Sequence, residues 1–212
     1  MTTRKNVLRS LIISCLLCGT VTLPAFAAVT VTGSITQAET TGNSDTGSAS
    51  GNTLNVTNAT QGIDKATIYG GKTADEQAGS SANNTVTVSN SNIQGTEIIG
   101  GSSSGVADSN TVIIESTSKV GSVLGGANNT ATNNRVEMYG SSGNISGGFT
   151  DAGDANGNYV LIDTAAGTVG MTHGGNSLGR GDANDNTVEI KSGTVNQAIG
   201  GSGKTQQITE LS

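Results

Sequence analysis

A five-residue segment recurs six times along the chain, beginning at Asn52, Asn84, Asn110, Asn134, Asn158 and Asn186. Every copy opens with Asn and carries an apolar residue at its third and fifth positions, as in Asn52-Thr53-Leu54-Asn55-Val56 and Asn134-Arg135-Val136-Glu137-Met138. The second and fourth positions range over Thr, Asn, Arg, Glu, Tyr, Ile and Leu. Period-two alternation with aliphatic residues on one side is the pattern of a half-buried strand. The Asn residues lie 32, 26, 24, 24 and 28 residues apart, so the strands keep their form while the connections vary. One such unit cannot bury its apolar side alone, and a fixed strand with elastic connections is how stacked coils behave.

A weaker apolar signal follows each copy and ends in a glycine pair, at 70–71, 100–101, 125–126, 147–148, 174–175 and 200–201. Before the pairs stand Ile63 and Ile68, Ile93 and Ile98, Val120 and Val123, Ile145, Val169 and Met171, then Val195 and Ile199. We expect a second strand that turns at the glycines, where positive φ is open to a residue without Cβ. A polar loop, such as 102–109 or 176–185, then leads to the next Asn. Val29, Val31 and Ile35 read as a shorter first coil. The expected fold is all-β, a single parallel β-helix or solenoid of about six to seven coils over residues 28–203, with 204–212 a polar tail. The Asn residues carry two readings: an amide ladder running from coil to coil, or a residue suited to the turn that opens each strand.

Composition alone argues the other way. Leu, Ile, Val and Phe make up about 18% of the residues after position 27, below the ~20% at which disorder is suspected. Arrangement decides against disorder, because all twelve inward positions of the six segments are apolar.

The first 27 residues have a different character. Arg4, Lys5 and Arg9 precede an apolar run from Leu11 to Leu23, then Pro24 and the small-residue site Ala25-Phe26-Ala27. This is the layout of a secretory signal peptide cut before Ala28. The run is too short for a membrane span, which needs roughly 17–25 residues. Ile12-Ile13-Ser14-Cys15 has the look of a lipid-attachment site, but too little apolar chain separates it from Arg9. Both cysteines and the lone proline fall within this segment, leaving no disulfide framework for the rest. The remaining chain has seven scattered cations against 16 anions, the wrong sign and arrangement for nucleic acid.

The segment "NNTVTVSNSNIQGTEIIGGSSSGVADSNTVII" resembles the Asn/Gly-rich repeats of autotransporter passenger regions of Gram-negative bacteria, and the likeness extends over about residues 29–201. That resemblance implies export, display at the cell surface or outer membrane or release by secretion, and a role in adhesion, aggregation or biofilm formation. Its implied partners are a host-cell or bacterial surface receptor, or further copies of the chain. Autotransporters end in a membrane barrel of alternating ~10-residue strands with aromatic girdles, and nothing in this sequence has that pattern. After position 27 the aromatic residues are Tyr69, Tyr139, Tyr159 and Phe149. A truncated or split passenger, or a related secreted solenoid, is expected, with no membrane span in the exported chain.

Residues suited to chemistry are few. His173, the lone histidine, precedes a glycine pair in a slot that holds Tyr69, Ile99, Leu124, Ser146 and Ile199 in the other coils, so a structural role is expected. Without Cys and with one His, zinc sites and Cys/His nucleophiles have no residues to draw on. Asp151/Asp154 and Asp182/Asp185 are the pairs to weigh for a carbohydrate-active enzyme, or, with the glycine-rich stretch 174–182, for calcium. Arg180-Gly181-Asp182 spells a tripeptide that some adhesive ligands present to integrins. The outward pairs of the strands show neither a Thr-x-Thr array for ice nor a cluster of acids and aromatics for a sugar. No catalytic, cofactor-binding or metal-ligating residue is assigned, no cofactor is implied, and the expected function is adhesive or structural. The alternative is an extracellular β-helical carbohydrate-active enzyme or a calcium-binding repeat protein.

Overall fold

The structure, a computed structural model, describes residues 28–41, 44–45, 48–73 and 79–204. The expected signal segment and the tail beyond Lys204 lie outside the described residues. Regular structure among the described residues is strand throughout, and the strands pair in parallel into a solenoid of about six turns.

The first wall of the solenoid stacks Ala28–Ile35, Thr53–Gln61, Thr85–Ser89, Thr111–Ile114, Arg135–Met138 and the opening residues of Tyr159–Ser177 and Thr187–Ser202. The register superimposes Val29, Leu54, Val86, Val112, Val136, Val160 and Val188 in one column. Val31, Val56, Val88, Ile114, Met138, Ile162 and Ile190 form the next. From Leu54 to Val188 the first column is fully buried. The alternation in sequence is therefore the alternation of the pleat, and the short first coil takes its expected place.

An opposing wall carries the column Ile68, Ile98, Val123, Ile145, Thr172 and Ala198. Two expectations fail there. Met171 pairs with Gln197 and is exposed, while its neighbour Thr172 takes the inward position. Likewise Ala198, not Ile199, falls in the inward column. The apolar residue and the inward position had drifted apart by one in both coils, and in a strand one residue is one face. The segment 102–108, expected as loop, continues the strand Asn92–Asp108, with Ser102 and Ser103 buried.

The glycine pairs also do something other than turn. All lie within strands, and none has φ in the left-handed range. Their reason is close approach. A Cβ on the first glycine of a pair would drive into the carbonyl oxygen of the equivalent glycine one coil on, Gly100 into Gly125 and Gly125 into Gly147. On the second glycine of the first five pairs it would collide with the amide of the following Asn, 2.7 Å from Asn134 Cγ in the case of Gly126. The pairs let this wall press against the ladder of Asn side chains, which gives a thin core that few large residues suffice to fill.

Positive φ is found one residue before each repeat Asn: Gly51, Asn83, Ser109, Asn133, Gly157 and Asp185. Gly, Asn and Asp are the types that tolerate this region best. Three residues before each Asn lies a column of fully buried small residues, Ala49, Ser81, Ala107, Ala131, Ala155 and Ala183. The repeat thus begins earlier than its strand, with a small inward residue, a spacer, a left-handed corner and then Asn.

The Asn residues form the ladder. Asn84, Asn110, Asn134 and Asn158 each donate from Nδ2 to the Oδ1 of the next, at 2.8, 3.0, 3.0 and 3.0 Å. That same Oδ1 accepts the backbone N–H of the preceding Asn. The second Nδ2 hydrogen goes to the carbonyl of the small residue one coil back, Ala49, Ser81, Ala107 or Ala131. The turn belongs to the neighbour and the ladder to Asn.

Candidate functional site

His173 sits, as expected, in register with Ser146 on one side and Ile199 on the other. It is half-buried, and burial lowers its pKa, so it is neutral at physiological pH. Among the described residues no carboxylate or hydroxyl is hydrogen-bonded to it in the arrangement a general base or nucleophile pair requires.

The aspartates serve the backbone. Asp154 Oδ1 accepts the backbone N–H of Asp182 at 2.9 Å, and Asp185 fills a left-handed corner. Asp151 borders an open polar depression of about 490 Å3 with Thr73, Ser104, Asn128, Asn129 and Ala152. Among the described residues no group of three or more His, Cys, Asp or Glu side chains converges as a metal site would need. In the tripeptide 180–182, Arg180 is exposed, but Gly181 is buried against the Gly153 carbonyl and Asp182 is tied to Asp154. The segment lies flat on the coil beneath it.

The outer face of the first wall holds what the sequence reading missed. Three consecutive coils place Arg135, Tyr159 and Thr187 in one outward column, and Glu137, Leu161 and Glu189 in the next. Arg135 Nε donates to Glu137 Oε1 at 2.6 Å, and the Tyr139 hydroxyl donates to Glu137 Oε2 at 2.9 Å. The Arg135 guanidinium lies 4.4 Å from the centre of the Tyr159 ring, within cation–π range. The Tyr159 hydroxyl donates to Glu189 Oε2, whose other oxygen faces Lys191 Nζ at 3.4 Å. Asp163, accepting from the Ser192 hydroxyl at 2.7 Å, stands at the margin. Acids, bases and aromatics are therefore clustered on one strand face, contrary to the expectation of none. The signal was present at spacings of 24 and 28 residues: writing 135–139, 159–163 and 187–191 above one another exposes it.

The electrostatics keep both glutamates of the cluster ionised. Burial alone would raise the Glu137 carboxyl, but hydrogen bonds from Arg135 and Tyr139, with the Arg135 charge, bring it below the usual carboxylate range. The Tyr159 hydroxyl does the same for Glu189, helped by Lys191. Tyr139 is raised, chiefly by donating to Glu137, and Tyr159 is raised by burial and by donating to Glu189. A general acid for glycoside cleavage needs a carboxyl raised toward neutrality; both glutamates move the other way. The cluster offers fixed anionic acceptors, two cationic donor groups and aromatic rings on a flat sheet.

No protein-family model, curated protein or solved structure matches this chain. Among the described residues no helix is long and apolar enough to cross a membrane, which says nothing of a β-barrel.

Proposed function

We propose that the chain is a passenger-type β-solenoid of the autotransporter kind, exported from a Gram-negative cell and acting there as an adhesive or structural element. The observation that carries this reading is the outer face of the first wall, where Arg135, Glu137, Tyr139, Tyr159 and Glu189 sit on stacked strands of a rigid ladder. A stack of this kind holds such groups at fixed spacing, so that weak contacts add when many copies share one surface. The repeat likeness over residues 29–201 and the charged, secretion-type N-terminus support the same reading. The downward pKa of both glutamates supports binding over catalysis.

The test is gain of function. Cells displaying the full chain on an unrelated anchor are compared with cells displaying the anchor alone, for settling and for attachment to cell layers and coated surfaces. Faster settling or greater attachment is expected. Equal behaviour in both assays overturns the reading.

A further inference from the structure

We propose that the outer face formed by Arg135, Glu137, Tyr159, Glu189 and Lys191 binds a neutral, hydroxyl-rich glycan chain. The proposal rests on the adhesive reading above and gives it a ligand class.

Charge comes first. Each glutamate is matched by a cation, Glu137 by Arg135 and Glu189 by Lys191, and Asp163 adds one negative charge at the margin. An acidic polymer meets no uncompensated cation here and faces a chain of formal net charge −6. A basic polymer meets acids whose charge is already balanced by a cation, although their lone pairs still accept hydrogen bonds. A neutral ligand carries no such penalty.

Hydrogen-bonding capacity points the same way. A sugar hydroxyl both donates and accepts, so its site needs ionised acceptors beside fixed donors. Both glutamates stay ionised, because their hydrogen bonds and neighbouring cations lower them. Arg135 and Lys191 keep 43% and 53% of their side chains exposed, and each carries more N–H donors than its glutamate takes up. Tyr159, on the coil between the two glutamates, adds an aromatic ring that stacks under the Arg135 guanidinium and sets an apolar surface beside the charged groups for the C–H edges of a pyranose.

Size separates a glycan from a protein partner. Three coils at about 4.8 Å spacing and five residues at about 3.3 Å give a patch of about 10 by 13 Å, enough for two or three sugar rings. A stable protein interface buries about 800 Å2 per partner around a core low in charge. Here the apolar residues are few: Leu161, at the centre, is itself only 5% exposed, Ile113 is half-buried beside Glu137 on the preceding coil, and the other outward neighbours on the preceding coils are Thr85, Thr87 and Thr111.

The experiment is affinity electrophoresis of the full chain through gels containing neutral mannan, galactan or glucan, or acidic polygalacturonate or heparin. Folding of each variant is checked by thermal melting. Retardation by at least one neutral polymer is expected, insensitive to added salt. Tyr159→Ala should weaken it about tenfold or more, Glu137→Gln should weaken it clearly, and Thr85→Ala, in the same outward column but away from the cluster, should leave it unchanged. If Tyr159→Ala melts early, Glu137→Gln and Tyr159→Phe decide, the latter keeping the ring. No retardation by any neutral polymer, retardation by acidic polymers alone, or retardation indifferent to Tyr159 and Glu137 overturns the proposal. Displaying cells that adhere while no neutral polymer retards the protein refute the glycan assignment and leave the adhesive reading intact. Cells that fail to adhere refute the adhesive reading.

Discussion

Asn134 Nδ2 donates to Asn158 Oδ1 across 3.0 Å, with both side chains shut off from water. The bond recurs along the stack, so each amide is both the acceptor of one coil and the donor to the next. A buried amide in that position has no solvent to fall back on when a partner is removed.

Truncating one rung therefore strands several groups at once. Asn134→Ala leaves the Asn110 backbone N–H, one Asn110 Nδ2 hydrogen and the Ala107 carbonyl without their Asn134 partner, while Asn158 Oδ1 keeps only the backbone N–H of residue 134. At about 1–3 kcal/mol for each buried group left unpaired, partly relieved by relaxation, the loss should be about 3–4 kcal/mol. Denaturant unfolding of wild type and variant measures it. A loss below about 1 kcal/mol would mean that the ladder is incidental to stability.

The glycine pairs predict a contrast between two chemically identical substitutions. Gly126→Ala sets a methyl 2.7 Å from Asn134 Cγ, and that amide cannot move without breaking the ladder. Gly95→Ala meets only the end of the partly exposed Gln61 side chain at 3.1 Å, which need give by only a few tenths of an ångström within its hydrogen bonds to the Gly95 N–H, the Thr96 hydroxyl and the Ile63 carbonyl. The first should destabilise by about 3 kcal/mol or more, and the second by less than about 1 kcal/mol. Melting temperatures of the two variants side by side provide the check.

How much of this was legible in the sequence follows from distance along the chain. The aliphatic columns were readable, since Val86 and Val88 declare a strand within five residues and Val112 and Val136 repeat it. The division of labour between Asn133 and Asn134 was not, because corner and ladder both favour Asn and only φ tells them apart. The glycine pairs were visible as a pattern and misread in cause, since crowding by a neighbouring coil leaves no local mark. The Arg135–Tyr159–Glu189 face needed the register of three coils whose connections differ in length. Met171 shows the limit most sharply: an apolar residue beside an inward Thr172 is indistinguishable, without the pairing partner, from an inward one.

The corner ahead of each Asn is open to a direct test at Asp185, which is exposed and has φ of +55°. Asp185→Gly should be neutral within about 0.5 kcal/mol, because glycine adopts this region freely. Asp185→Val should cost about 1–2 kcal/mol, the strain of a β-branched residue held left-handed. Equal stability of the two variants would show that the corner relaxes.

Acid should weaken the fold in two stages. Burial holds the folded pKa of His173 below its ordinary 6.5, so the folded state resists a proton that the unfolded chain accepts. Stability is then full above about pH 6.5 and declines as pH falls through the folded value. His173→Gln should flatten that stage. Glu137 and Asp108 are also lowered, from 4.5 and 3.8: burial opposes the shift, and hydrogen bonds from Arg135 and Tyr139, and from Thr132, Asn133 and Ser109, outweigh it. Their contribution is present above the unfolded values and is lost as pH falls through the folded ones, a second stage below about pH 4.5. Because Glu137 is partly solvated, Glu137→Gln should remove less than about 1 kcal/mol of it. Melting curves from neutral pH to about pH 3 for the wild type and both variants separate the stages. A wild-type melting temperature unchanged between pH 7 and about pH 5 would exclude the histidine contribution, since a base shielded from protons by folding must cost stability when the solvent supplies them.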